Sequence, residues 1–155
     1  MKRVLDLKLS AILDLKRVVI LEKASKQEVL DLLIDKLADS DAVKSKEDLR
    51  NGIYEREDLM STGIGLGLGI PHVRMKSIKD LVLAVALVRE GIEDYESLDS
   101  SLVKLVFMIV ARDDQHAAHL KLLSHLSNNL KADEIRETLL KSADEAELFA
   151  YLGGK

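Results

Sequence analysis

The sequence contains four histidines, the residues whose ordinary side-chain pKa lies closest to neutral pH. They are therefore the first candidates for a nucleophile or a proton carrier. His72 follows the only proline, Pro71, whose ring fixes its own φ at about −65° and makes the approach to the histidine rigid. Arg74 and Lys76 come shortly after it and are placed to neutralise a bound anion. Taken alone, a histidine after a proline is compatible with a plain loop residue as well as with a nucleophile.

The other three histidines fall within one predicted helix. His119 opens the apolar stripe of this helix, so we expect its ring to point inward. Burial and the helix N-terminus both favour a neutral imidazole, which makes His119 either a core-edge residue or a hydrogen-bond donor to an anion at His72. His116 lies one turn earlier and is compatible with a helix start or with a functional role. His125 lies off the stripe, and we expect it to be solvated.

Hydrophobic periodicity predicts the elements that position these histidines. Val18–Leu21 is short and mostly β-branched, which indicates a strand. Two capping patterns start amphipathic helices, Ser25 with Glu28 and Ser45 with Asp48. The second of these helices is expected to end near Met60. The aliphatic runs Leu81–Val88 and Leu102–Ala111 predict strands that are buried on both faces in the middle of a sheet.

A long helix after Asp114 and shorter helices around 135–139 and 145–152 complete the predicted order, and Ser142 with Glu145 is expected to cap the last one. The predicted order is a strand and helices, then a run of strands, then helices, with no repeat and no Pro-rich linker. This order predicts a single α/β sandwich with a mixed sheet. We expect residues 1–155 to form one domain.

From Gly63 to Ile70, glycine alternates with isoleucine or leucine. In one extended strand this period places the glycines on one face, where another element or a partner protein can approach closely. The segment is not a dinucleotide-binding fingerprint, because Leu68 stands where a third glycine is needed and no helix begins afterwards.

Composition excludes several classes of function. A net charge of −4 with interleaved acids and bases provides no basic patch for nucleic acid. The absence of cysteine excludes disulfides, thiolate metal sites and cysteine nucleophiles within these residues. The longest apolar run, Leu81–Val88, is far shorter than the roughly 20 residues of a membrane-spanning helix. The start Met1–Asp6 lacks the apolar segment of a signal peptide, so we expect a cytoplasmic protein.

An ordered set of motifs covers most of the chain: Arg56-Glu57-Asp58 with Thr62, Gly69-Ile70-Pro71-His72-Val73-Arg74, Gly91-Ile92, Ser97-Leu98-Asp99, and His119-Leu120 before Leu123. The set resembles the fructose, mannitol and nitrogen-type enzyme IIA domains of the bacterial phosphotransferase system. This resemblance implies a three-layer α/β/α sandwich in which His72 is phosphorylated. It also implies that His119 assists and Arg56 steadies the phosphoryl group. Thr62 and Arg74 are predicted as further phosphoryl contacts.

The resemblance further implies that phosphate arrives from the histidine-containing phosphocarrier protein and leaves to a cysteine of an enzyme IIB. Because this chain has no cysteine, the acceptor is expected on another polypeptide. No metal, nucleotide or other cofactor is expected. A fructose-like role in sugar uptake is slightly favoured over a nitrogen-type regulatory role. Two alternatives remain open: a phosphorylation-dependent binding module that never passes its phosphate on, and a degenerate domain in which the histidines only pack.

Overall fold

A mixed six-stranded sheet is the framework of residues 9–154, the part of the chain that the computed structural model describes. The strands are β1 (Val18–Leu21), β2 (Gly63–Gly65), β3 (Leu68–Gly69), β4 (His72–Met75), β5 (Val82–Ile92) and β6 (Val103–Arg112). The helices are α1 (Lys26–Ala38), α2 (Lys46–Leu59), α3 (His116–Leu130), α4 (Asp133–Leu140) and α5 (Glu145–Tyr151), and two short 3-10 turns, Leu9–Ala11 and Leu15–Arg17, precede β1. Residues Met1–Asp6, which carry the signal-peptide argument, lie outside the described residues.

The strand order is β1-β5-β6-β3-β2, and β4 also pairs with β6. The two long aliphatic strands therefore occupy the middle of the sheet, as predicted, and they run antiparallel. β3 and β4 lie one after the other along the far side of β6 and parallel to it, which sets His72 opposite Ile109. Within residues 9–154, no helix combines the length and the apolar character that crossing a membrane requires.

Alternate residues of the central strands pack against different helices. Leu83, Val85 and Leu87 of β5 face the layer that contains α3, α4 and α5. Ala84 and Ala86 face the layer of α1 and α2. The predicted three-layer α/β/α sandwich with a mixed sheet is thus confirmed, and the alternation along a strand that is apolar on both faces is its physical cause.

Local start signals were predicted correctly for the first two helices but not for the last one. Ser25 and Glu28 form a complete capping box, and the Ser45 side chain accepts a hydrogen bond from the Asp48 N–H. The cap of α5 is Asp144, whose carboxylate accepts a hydrogen bond from the Glu147 N–H. The buried hydroxyl of Ser142 instead donates to the Leu139 carbonyl, so the predicted cap is wrong.

The glycine-alternating segment is a hairpin of β2 and β3 and not the single extended strand that was predicted. Leu66 and Gly67 form its turn with φ of 59° and 76°. Asp99 accepts a hydrogen bond from the Leu66 N–H at 2.9 Å and so holds the turn. Of the two expected uses of the glycine face, close approach of another element is the one observed at Gly69, because a Cβ there would lie 2.8 Å from the ring of Tyr95. Gly69 therefore accommodates internal packing and does not present an open surface.

Candidate active site

His72 is the first residue of β4, and the hairpin before it fixes its ring. The Ile70 N–H donates to the Thr62 carbonyl at 2.9 Å, which anchors the end of the hairpin. The Nδ1 atom of His72 lies 2.7 Å from the Ile70 carbonyl oxygen. A carbonyl can only accept a hydrogen bond, so Nδ1 carries the proton. In the neutral ring Nε2 then holds the lone pair, and it is the nitrogen able to act as a nucleophile.

His119 meets His72 across the gap between α3 and β4. The ring centroids are 5.2 Å apart with the planes at 75°, an edge-to-face arrangement. Only 3% of His119 is exposed, and its Nε2 has no hydrogen-bond partner among the described residues. Burial, assisted by the charges of His72 and Arg74, lowers the pKa of His119 to about 4. The imidazole is therefore neutral at physiological pH, and its buried Nε2 is available for a hydrogen bond.

Both rings line a depression of about 280 Å³ that is rich in cationic and imidazole groups. Its lining consists of Arg56, His72, Val73, Arg74, His116, His119, Leu120 and Leu123. No carboxylate is among these lining residues, although the chain as a whole is acidic. Such a pocket favours an anion over a cation.

Two arginines reach the depression from different elements. Arg56, near the end of α2, is half-buried, and its Nη1 donates to the Met60 carbonyl at 2.8 Å. This bond holds the guanidinium at the pocket while its other N–H groups stay free to bind oxygen atoms. Arg74 follows His72 by two residues on β4, so it lies on the same side of the strand, and its Nη1 contacts Nδ1 of His116.

Thr62 lies outside the lining of the pocket. Its side chain is buried, and its hydroxyl lies 2.6 Å from both the Glu57 carboxylate and the Tyr95 hydroxyl. Lys26 pairs with the same carboxylate at 2.8 Å. Burial first, and the nearby Glu57 charge second, raise the pKa of Tyr95, so it stays a neutral phenol. This network joins α1 and α2 to the hairpin that supports His72.

A family model supplies the context for this geometry. The model described as "Phosphoenolpyruvate-dependent sugar phosphotransferase system, EIIA 2" matches residues 11–154. The chain belongs to this EIIA family. The resemblance inferred from the motifs is thereby confirmed.

Curated relatives of this EIIA chain include fructose-specific proteins. It is 36% identical over 125 residues to the fructose-specific EIIABC component of Bacillus subtilis, covering 81% of this chain and 20% of that protein. The chain thus matches only about a fifth of that longer relative. It is 34% identical over 119 residues to the fructose-specific EIIA component of Haloferax volcanii, covering 77% of each.

Solved structures of EIIA domains share the fold. The nitrogen regulatory protein IIA-Ntr of Neisseria meningitidis aligns with a TM-score of 0.83 and 29% identity, covering 93% of this chain and 98% of that one. The Escherichia coli mannitol enzyme IIA, solved in complex with phosphorylated mannitol enzyme IIB, aligns with a TM-score of 0.77 and 21% identity over 92% of this chain and 98% of that one. At that identity the second likeness shows the fold alone.

The structure brings four of the five sequence-predicted site residues of this EIIA domain into one pocket, His72, His119, Arg56 and Arg74, and leaves Thr62 behind it. Sequence reasoning left the function of His116 open, although its three-residue spacing from His119 places both on one helix face. It did not identify the network in which Glu57 and Tyr95 share the Thr62 hydroxyl. No local pattern signals that network, because Tyr95 is distant in sequence from the end of α2.

Proposed function

We propose that this EIIA domain carries a phosphoryl group on Nε2 of His72, taken from the histidine-containing phosphocarrier protein and passed to a cysteine of an enzyme IIB. The observation that carries the proposal is the bond from Nδ1 to the Ile70 carbonyl, which reserves Nε2 for reaction beside a pocket without carboxylates. Since these 155 residues contain no cysteine, the acceptor lies outside them. The cytoplasmic location stays a prediction.

The transfer needs positioning and charge stabilisation more than acid or base chemistry. The lone pair of Nε2 forms a bond to phosphorus while the N–P bond of the donor phosphohistidine breaks, and its electron pair stays with the donor ring. Arg56 and Arg74 face the oxygens that carry the negative charge. Neutral His119 can donate a hydrogen bond to one of them. In the onward step a thiolate attacks the same phosphorus, and the His72 ring regains its lone pair.

A nitrogen-type regulatory role is the second candidate. The likeness to the Neisseria IIA-Ntr structure favours it, while the fructose-specific relatives favour sugar uptake. The same histidine serves both functions, so the fate of the phosphoryl group separates them. A regulatory domain would hold the phosphoryl group and bind a target according to its phosphorylation state. A sugar-uptake domain would pass it rapidly to an enzyme IIB.

The docking surface for donor and acceptor is proposed at the rim of the pocket, in place of the glycine face. Leu120 lines the pocket and is 51% exposed, and Met60, which holds Arg56 through its carbonyl, is 65% exposed. Rapid exchange requires transient complexes, so we expect one shared and mostly apolar interface below about 1,200 Å² in total. Donor and acceptor would then compete for it.

Phosphorylation in vitro tests the proposal. Phosphoenolpyruvate, enzyme I and the phosphocarrier protein should label the wild-type chain with one acid-labile phosphoryl group, and His72→Ala should abolish the label. His125→Ala changes an exposed histidine outside the pocket lining and is the matched control. Label that persists on His72→Ala would contradict the assignment. Incubation of the labelled protein with a fructose-type enzyme IIB then separates transfer from retention.

A further inference from the structure

The site contains a second pair of side chains, one from β4 and one from α3, beside the pair of His72 and His119. His72 and Arg74 are two residues apart on β4, and His116 and His119 are three residues apart on α3. Both spacings place the paired residues on one side of their element. All four therefore line the same depression, with His72 beside His119 and Arg74 in contact with His116.

The contact between Arg74 and His116 defines the state of both side chains. A guanidinium nitrogen can only donate a hydrogen bond, so Nδ1 of His116 is the acceptor and is unprotonated. The proton of the neutral ring then lies on Nε2. Arg74 is exposed on its strand and would otherwise sample many rotamers, at a conformational cost for every ordered contact. The imidazole of His116 restricts that freedom.

We propose that His116 is a positioning residue that holds Arg74 toward the phosphoryl group on His72. This inference rests on the proposed function and extends it to a residue to which neither the motifs nor the relatives assign a role. His116 does not itself contact the reacting atoms in this proposal. It presents an acceptor to one N–H of Arg74, so that the remaining N–H groups face the pocket.

The charged and titratable groups around this pair are consistent with an orienting contact. From β4 the pocket receives His72 and Arg74, from α3 it receives His116 and His119, and from α2 it receives Arg56. No carboxylate among the lining residues competes for Arg74. Within that lining, the hydrogen-bond acceptor that Arg74 contacts is therefore the imidazole of His116.

A double-mutant cycle tests the proposal by the rate of phosphoryl transfer from the phosphocarrier protein to His72. His116→Ala should slow transfer by about three- to ten-fold, the loss expected for one partly solvated hydrogen bond, and Arg74→Ala, which also removes the contact to the phosphoryl group, should slow it by at least as much. The double variant should be no slower than Arg74→Ala, because His116 acts through that arginine. His116→Asn keeps an acceptor near the Nδ1 position and should restore most of the rate. His125→Ala on the same helix is the control.

Three results would overturn the proposal: a wild-type rate for a folded His116→Ala, additive losses in the double variant, or equal defects in the Asn and Ala variants. A second measurement does not depend on transfer. The ¹⁵N chemical shifts of His116 in the unphosphorylated protein should report a protonated Nε2 and a bare Nδ1, and Arg74→Ala should shift them toward a mixture of tautomers.

Unchanged ¹⁵N shifts in Arg74→Ala would also reject the pair. Failure of the proposed function would give a different result, because a wild-type protein that takes up no label would contradict the phosphoryl-carrier function. The ¹⁵N shifts would still decide whether His116 orients Arg74.

Discussion

The two sides of His72 are built in opposite ways. On the hairpin side, Thr62, Glu57 and Tyr95 satisfy one another in a buried network, with hydroxyl contacts of 2.6 Å. On the α3 side, His119 is equally buried, yet its Nε2 has no partner among the described residues. A buried polar atom without a hydrogen bond costs free energy. We call the hairpin side, where these polar groups are paired, the closed side, and the α3 side, where Nε2 of His119 has no partner among the described residues, the open side. We expect the closed side to maintain the position of the site and the open side to bind the ligand.

The largest effect should come from the open side. His119→Ala should slow phosphoryl transfer to and from His72 by about 100-fold or more, because it removes a donor aimed at transition-state charge. Arg56→Ala should behave similarly. Quenched-flow transfer assays and circular dichroism of both variants measure the effect. If both variants stay folded and transfer at the wild-type rate, the α3 side is structural and the comparison fails.

The same buried imidazole should make stability depend on pH. With a folded pKa of about 4 against an ordinary 6.5, His119 takes up a proton in the unfolded chain before it does so in the folded one. The free energy of unfolding that neutral His119 contributes is therefore fully present above about pH 6.5, and it is lost as the pH falls toward about 4. Between about pH 7 and pH 4.5 the wild type should lose about 2 kcal/mol relative to His119→Gln.

Urea titrations of the two proteins at several pH values measure this difference. Parallel dependence of their unfolding free energies on pH would show that His119 does not titrate as its burial requires.

The closed side should respond in stability more than in chemistry. Thr62→Val removes the hydroxyl shared by Glu57 and Tyr95 and should lower the unfolding free energy by about 1–3 kcal/mol. Thr62→Ser retains the hydroxyl and should recover most of that loss. At a temperature where both variants are folded, the transfer rate should change much less than in His119→Ala. A loss of 100-fold in a stable Thr62→Val would instead place this hydroxyl in the chemistry.

The smallest effect is expected at the rim. Leu120→Ser should raise the phosphocarrier concentration needed for half-maximal transfer by a few-fold without slowing the saturated rate. About half of the Leu120 surface is exposed, so the substitution removes little core packing. Leu15→Ser, at an exposed leucine before the edge strand β1, is the matched control. Equal kinetics for the two variants would move the docking surface away from α3.

Much of the framework could be predicted because its signals are local. The capping box of Ser25 and the aliphatic runs of β5 and β6 each reside in a few neighbouring residues. The hairpin could not be predicted in this way. Its turn places Leu66, which is not a glycine, in the left-handed region, and the carboxylate that holds it comes from Asp99, 33 positions later. The interpretation of Thr62 as a phosphoryl contact depended on a motif that cannot show where a hydroxyl points.

The bond from His72 to the Ile70 carbonyl has a consequence for regiochemistry. An imidazole offers two nitrogens of similar reactivity, and a synthetic chemist would mask one of them to direct substitution to the other. Here a peptide carbonyl masks Nδ1. The proposed carrier should accordingly yield the tele isomer of phosphohistidine. Because a peptide carbonyl does not ionise in the physiological range, the selection should hold across pH, and because it belongs to the main chain, no side-chain replacement at position 70 deletes it.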